Sequence, residues 1–249
     1  SGPGELSADP FFGGKGPARN GCMQCGACMT GCRFNAKNTL PKNYLGLAEG
    51  AGAKVFAEHT VTKIEQLPNG SWKVYARKSS SWFGRKRIFT ANQVIVAAGT
   101  YNTQKLLHGM KSAGVLPKIS ATLGKLSRTN SEALTGALMQ DDKVDYSQGS
   151  AITSSFFPDE NTHVEPVRYG VGSNAMGLLQ TIMTDGHSAS KRRKQWLATV
   201  LRHPSMLARV LNVRRWSQRT VIALVMQNVD SAVTVSMKRS IFGRRLTSK

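Results

Sequence analysis

Acidic residues are scarce in this 249-residue sequence: fourteen Asp and Glu stand against thirty-four Lys and Arg, a formal charge of +20. Such a balance points to nucleic acid, anionic lipid or acidic substrates where the field is exposed and continuous. The distribution argues against a general polyanion coat. No acid occurs between Asp185 and Asp230, and that interval holds Lys191, Arg192, Arg193, Lys194, Arg202, Arg209, Arg214, Arg215 and Arg219. Long apolar runs are missing too. The longest candidate, 221–226, falls far short of the roughly twenty residues that span a bilayer. The opening "SGPGELSADPFFGG" has neither a basic start nor an apolar core, so it is not read as a secretory signal. Cysteine is absent outside one short window, which excludes a disulfide framework and favours a reducing, cytoplasmic compartment. There is no G-x-S-x-G, P-loop or H-E-x-x-H motif, no internal repeat and no low-complexity block. Charge alone supports nucleic-acid binding, and without a recognisable binding fold no nucleic-acid partner is expected.

With 40% hydrophobic and 7% aromatic residues, the chain has the composition of a globular protein able to bury a core. Its first twenty-one residues read as loop or extended entry, with Phe11 and Phe12 as the large anchors. Leu40, Tyr44, Leu45, Leu47 and Ala48 recur at helical spacing and predict a helix over 41–49. Three β-rich runs follow, separated by Pro68-Asn69-Gly70 and by a basic turn at 83–87, the second and third forming a hairpin with Trp72, Val74 and Ala76 on one face. "QVIVAAG", apolar on both faces, predicts a central strand of a buried parallel sheet. It leads through Gly99 into a helix closed by Gly114, an arrangement in which α/β folds seat anionic cofactor groups on a helix N-terminus. Residues 191–219 read as a basic amphipathic helix broken at Pro204. That pattern suits a solvated cationic face or peripheral contact with an anionic membrane. A strand to about Gln227, a turn and a second strand end the chain, which stops at Lys249 within a further element.

Cys22, Cys25, Cys28 and Cys32 have the spacing C-x₂-C-x₂-C-x₃-C, which matches the bacterial ferredoxin run except that Arg33 stands in place of proline. In two-cluster ferredoxins the fourth cysteine serves the other cluster, and no second set exists here. Zinc usually takes a longer gap between its ligand pairs. Iron–sulfur ligation, zinc ligation and uncoordinated thiols all stay open at this point.

The stretch "GCMQCGACMTGCRFNAKNTLPKNYLGLAEGAGAKV", followed by "QVIVAAGTYNTQKLLHGMKSAGVLPKI", resembles the glucose-methanol-choline (GMC) flavoprotein oxidoreductases, and within them the cholesterol-oxidase-like actinobacterial branch. The resemblance implies an α/β (α+β) fold: an incomplete FAD-binding Rossmann-like domain over 1–125, joined to a partial substrate domain of β-sheet and helices over 126–249. It implies FAD as cofactor and a sterol or similarly bulky apolar alcohol as substrate, oxidised to a ketone with possible double-bond isomerisation. The family's G-x-G-x-x-G strand and catalytic histidine are not found, since "GKG" at 14–16 and "GAGA" at 50–53 do not follow an initial buried strand. The chain is therefore read as an internal fragment, inactive alone. By position, Ala98, Gly99, Thr100, Asn102 and Thr103 fall on the flavin-proximal turn and Val61 beside the adenine. Asn38 and Asn43 lie in a segment passing near the isoalloxazine. Glu165, in "HVEPVRYG", falls on a strand from which relatives project a carboxylate for proton transfer, chemistry that calls for a raised pKa in an apolar pocket. The cysteine run departs from the best-known members and implies either an iron–sulfur electron-transfer module or a flavin–cluster dehydrogenase as the rival reading.

Overall fold

The computed structural model describes residues 2–81, 84–141, 143–240 and 243–248, and for Arg239 and Arg244 the backbone alone. Part of the predicted basic turn, at Phe83, and the end at Lys249 lie outside the described residues. In chain order the elements are β1 (Leu6–Ser7), β2 (Arg19–Asn20), α1 (Tyr44–Gly50), β3 (His59–Gln66), β4 (Trp72–Lys78), β5 (Lys86–Ala91), α2 (Gly99–Ser112), β6 (Ala133–Leu138), β7 (Phe156–Asp159), β8 (Thr162–Val167), α3 (Ala189–Arg202), α4 (Pro204–Val210), α5 (Trp216–Arg219), β9 (Thr220–Gln227), β10 (Val235–Ser240) and β11 (Gly243–Ser248). Helices and antiparallel sheets are mixed along the chain, in keeping with the α/β class.

Two compact units divide these elements, and neither is continuous: one comprises Ser1–Ala53 with Asn130–Asn228, the other Lys54–Thr129 with Val229–Lys249. The first fifty-three residues thus fall with 130–228, and the last twenty-one with 54–129. The two final strands expected from sequence consequently separate: β9 belongs to the first unit, and β10 pairs with β11 in the second.

The first unit is built on a four-stranded antiparallel sheet in the order β6-β9-β8-β7. Register places Leu134 of β6, Leu224 of β9 and Glu165 of β8 in one cross-strand row, with Met226 opposite His163 beside it. Its core gathers around Trp216, which is buried, donates its indole N–H to Gln180 Oε1 at 2.9 Å and lies 5.8 Å from the Tyr169 ring. A Cβ on Gly177 would come within 2.7 Å of that indole, so glycine is required for the close approach. Pro204 breaks the basic helix as expected, entering at the first turn of α4, where its missing N–H costs nothing.

The second unit carries the three-stranded antiparallel meander β3-β4-β5, whose core residues Ile64 and Ala76 are buried. Gln66, Ile64 and Val61 stand opposite Trp72, Val74 and Ala76, the face that alternation predicts. Helix α2 packs beside β3 and β10. The expectation of a buried parallel strand at 93–97 is corrected: the segment forms no strand and Ile95 is 90% exposed. A run apolar on both faces needs a strand on each side, and among the described residues none pairs with it.

Candidate functional site

The turn into α2 is shaped by two local features. Gly99 has φ +73°, a left-handed conformation that non-glycine residues adopt only with strain, and its missing Cβ would face open space. Ala98 precedes it as N-cap, offers no side-chain cap, and donates its N–H to Thr103 Oγ1 at 3.1 Å. Thr103 therefore closes the turn, while Thr100 and Asn102 are exposed in the first helical turn. A helix start with exposed, uncapped N–H groups and a favourable dipole can take an electron-rich group of a ligand. Val61, 39% exposed, sits on the edge strand β3 beside a register shift between Val61 and Lys63. Such a shift leaves backbone groups out of the ladder. The second unit thus gathers the predicted FAD contacts Val61, Ala98, Gly99, Thr100, Asn102 and Thr103.

In the first unit, Asn38 belongs to a polar cluster ordered by Arg19. The guanidinium, 3% exposed, donates to Asn38 Oδ1 at 2.7 Å and to the Lys42 carbonyl, and lies 4.8 Å from the Phe11 ring and 5.8 Å from that of Phe12. Asn43 Nδ2 also donates to Asn38 Oδ1, at 3.2 Å. The amide of Asn38 is thereby fixed by two donors, a role the sequence did not reveal because Arg19 lies nineteen residues away.

Glu165 occupies an interior strand of the four-stranded sheet, half-buried, with Oε1 3.6 Å from His163 Nε2. The imidazole stacks on Phe157 at 4.6 Å between centroids and 7° between planes. Leu134, Leu224 and Met226 share this face by register, so an acid–imidazole pair stands on an otherwise aliphatic row. His163 is a neighbour of Glu165 that sequence reasoning does not single out. The signal that could have singled it out is H-x-E on a strand, where alternate residues share a face.

All four cysteines are free thiols and line one cavity of about 240 Å³ together with Met23, Phe34 and Lys37. The loop is held by close backbone approaches: Gly26 N–H donates to Gly149 O at 2.8 Å and Gly149 N–H to Gln24 O at 2.7 Å. Cys32 Sγ accepts N–H bonds from Ala36 at 3.3 Å and Lys37 at 3.4 Å, and Cys22 Sγ accepts one from Gln24 at 3.4 Å. Burial pushes the Cys32 thiol up, but the N–H groups of Lys37, Ala36 and Phe34 and the charge of Lys42 outweigh it and leave its pKa below the ordinary value. Among the described residues no group of three or more His, Cys, Asp or Glu is placed to hold a single metal ion.

Comparison with known proteins joins these features. Residues 17–123 match the GMC oxidoreductase family. The chain is 53% identical over 250 residues to cholesterol oxidase of Mycobacterium tuberculosis, in both strain CDC 1551 / Oshkosh and strain H37Rv, an overlap covering 98% of this chain and 43% of the relative. It is 42% identical over 255 residues to cholesterol oxidase of Acinetobacter baumannii, covering 99% of this chain and 46% of that protein. The chain thus spans less than half the length of these curated relatives. The stretch that carries Cys22 to Cys32, the β3-β4-β5 meander and the Gly99 turn belongs to the GMC oxidoreductase family.

Proposed function

We propose that the protein to which this chain contributes binds FAD and oxidises the hydroxyl of a sterol, or of a similarly bulky apolar alcohol, to a ketone. The observation that carries the reading is the uncapped left-handed turn at Gly99 opening α2, inside the stretch that matches the family. FAD, when bound, accepts the hydride leaving the carbinol carbon. The chain's own groups position and polarise. Gly99 lets the backbone turn without a side chain in the way, Thr103 holds the Ala98 N–H, and Asn102 offers an amide at the first helical turn. Val61 presents edge-strand peptide groups to the adenine.

Glu165 serves proton transfer in double-bond isomerisation. Its carboxylate removes a proton from the carbon between the new ketone and the double bond, and returns it to the far alkene carbon as the bond shifts, so no net proton is consumed. The aliphatic row of Leu134, Leu224 and Met226 suits a flat hydrocarbon skeleton, and the His163 ring lies beside the carboxylate, Nε2 3.6 Å from Oε1. Peripheral contact of a cytoplasmic protein with anionic membrane through 191–219 fits this substrate. Leu197 and Leu201, one turn apart on α3, are 53% and 74% exposed among Lys and Arg. No helix among the described residues is long and apolar enough to cross a membrane.

A second reading, a flavin–cluster dehydrogenase, is favoured by the four thiols lining one cavity. Anaerobic mixing of the complete protein with a 3-hydroxysterol tests the first reading. Bleaching of a stoichiometric oxidised-flavin band, slowed by deuterium on the carbinol carbon, is expected; bound flavin untouched by hydroxysterols would overturn it.

A further inference from the structure

We infer that the loop carrying Cys22, Cys25, Cys28 and Cys32 holds one cubane [4Fe–4S] cluster, with one thiolate on each iron. The inference deepens the second reading above. Sequence spacing left the fourth cysteine unassigned, because in two-cluster proteins it serves a neighbouring cluster. The fold assigns it: Cys32 lines the same cavity as the other three. A single zinc ion needs its four sulfurs converging about 2.3 Å from one point, whereas a cubane core takes each sulfur on its own iron. Thiols spread around a cavity of about 240 Å³ suit an inorganic core that places each metal near its own ligand.

Three further features fit that core. The loop is preorganised, since a Cβ on Gly26 would lie 1.9 Å from the Ser147 carbonyl oxygen and one on Gly170 would lie 2.7 Å from the Cys25 carbonyl oxygen. Main-chain N–H groups already point at Cys22 and Cys32 sulfur, the kind of bond that stabilises cluster thiolates and tunes their potential. Charge is complementary as well: Arg33, Lys37 and Lys42 flank the thiols, and no acid occurs between Cys22 and Ala48. Met23 and Phe34 supply the apolar wall.

The test uses the complete protein, purified without oxygen and, in parallel, reconstituted with ferrous iron and sulfide. Iron, acid-labile sulfide, zinc and flavin are measured on the same sample, with electron paramagnetic resonance after dithionite reduction. About four iron and four sulfide per chain are expected, with a reduced-cluster signal, falling at least tenfold in Cys25→Ser/Cys28→Ser protein of unchanged circular dichroism. If that variant does not fold, the metal analysis and resonance of the unaltered protein decide alone. Sulfide absent from both preparations, or one zinc per chain without sulfide, overturns the inference. A cluster without flavin keeps it and sinks the FAD reading; flavin without a cluster does the reverse.

Discussion

Replacing Gly26 with alanine puts the anchoring of the cysteine loop to a quantitative test. The added Cβ would lie 1.9 Å from the Ser147 carbonyl oxygen, 3.1 Å from its carbon and 3.3 Å from Gly170 Cα, all of them backbone atoms that cannot rotate away. Gly26 also has φ +67°, and a left-handed non-glycine residue costs about 1–2 kcal/mol. Relief of the overlap requires opening the pair of bonds that joins Gly26 and Gln24 to Gly149. Whether the clash is tolerated or the bonds open, the further cost is about 1–3 kcal/mol. The sum is about 2–5 kcal/mol. Two controls separate the contributions. Gly13→Ala, at φ +63° with nothing within 4 Å, carries the backbone strain alone, about 1–2 kcal/mol. Gly50→Ala, at the end of α1 in open space, is neutral or gains up to about 1 kcal/mol. Urea unfolding followed by tryptophan fluorescence gives the ranking. Equal losses in Gly26→Ala and Gly13→Ala would refute the claim that the loop is held by close backbone packing.

Three other outcomes follow from the same structure. Glu165→Gln in the complete protein is expected to slow double-bond migration by about 10²–10⁴-fold while leaving flavin reduction by the alcohol intact, read by separating the unconjugated and conjugated ketone products; parallel loss of both would remove Glu165 from the isomerisation step. Trp216→Ala removes a side chain 4% exposed together with its bond to Gln180, at a cost of about 3–5 kcal/mol in the urea midpoint analysis. Asp145 is destabilised as an anion by burial, but the Ser147 hydroxyl and N–H, Gln218 and Arg215 outweigh this and hold its carboxyl below the ordinary value of 3.8. A carboxyl lowered in the folded state contributes stability in full above its unfolded value and loses it as pH falls through the folded value. The stability gap between wild type and Asp145→Asn should therefore shrink as pH is lowered through and below 3.8; a gap independent of pH would contradict the assignment.

Local pattern carried the sequence reading furthest where neighbours in the chain are neighbours in space. The β4–β5 hairpin, the α2 helix between Gly99 and Gly114, and the helix break at Pro204 all rest on short-range turn and cap chemistry. What escaped it depends on distant partners. Residues 93–97 have the composition of an interior strand, but a strand exists only where another chain segment hydrogen-bonds to it. The interleaving of units follows from pairings such as Cys25 with Gly149 and Ser127 with Val233, which join segments far apart in the chain and which no window of the sequence reports. Around the candidate sites the same division holds. Cysteine spacing was plain from the chain, whereas their facing of one cavity required the backbone contacts with Gly149 and Gly170. Glu165 was singled out through resemblance, and its pairing with His163 and its aliphatic row emerged only from strand register.

The central claim, that the turn at 98–103 seats the flavin, is tested most directly by amide hydrogen exchange of the complete apoprotein with and without FAD. Exchange at Gly99, Thr100, Asn102 and Thr103 should slow at least tenfold once FAD is bound in stoichiometric amount. Full flavin binding with unchanged exchange at all four positions would contradict it.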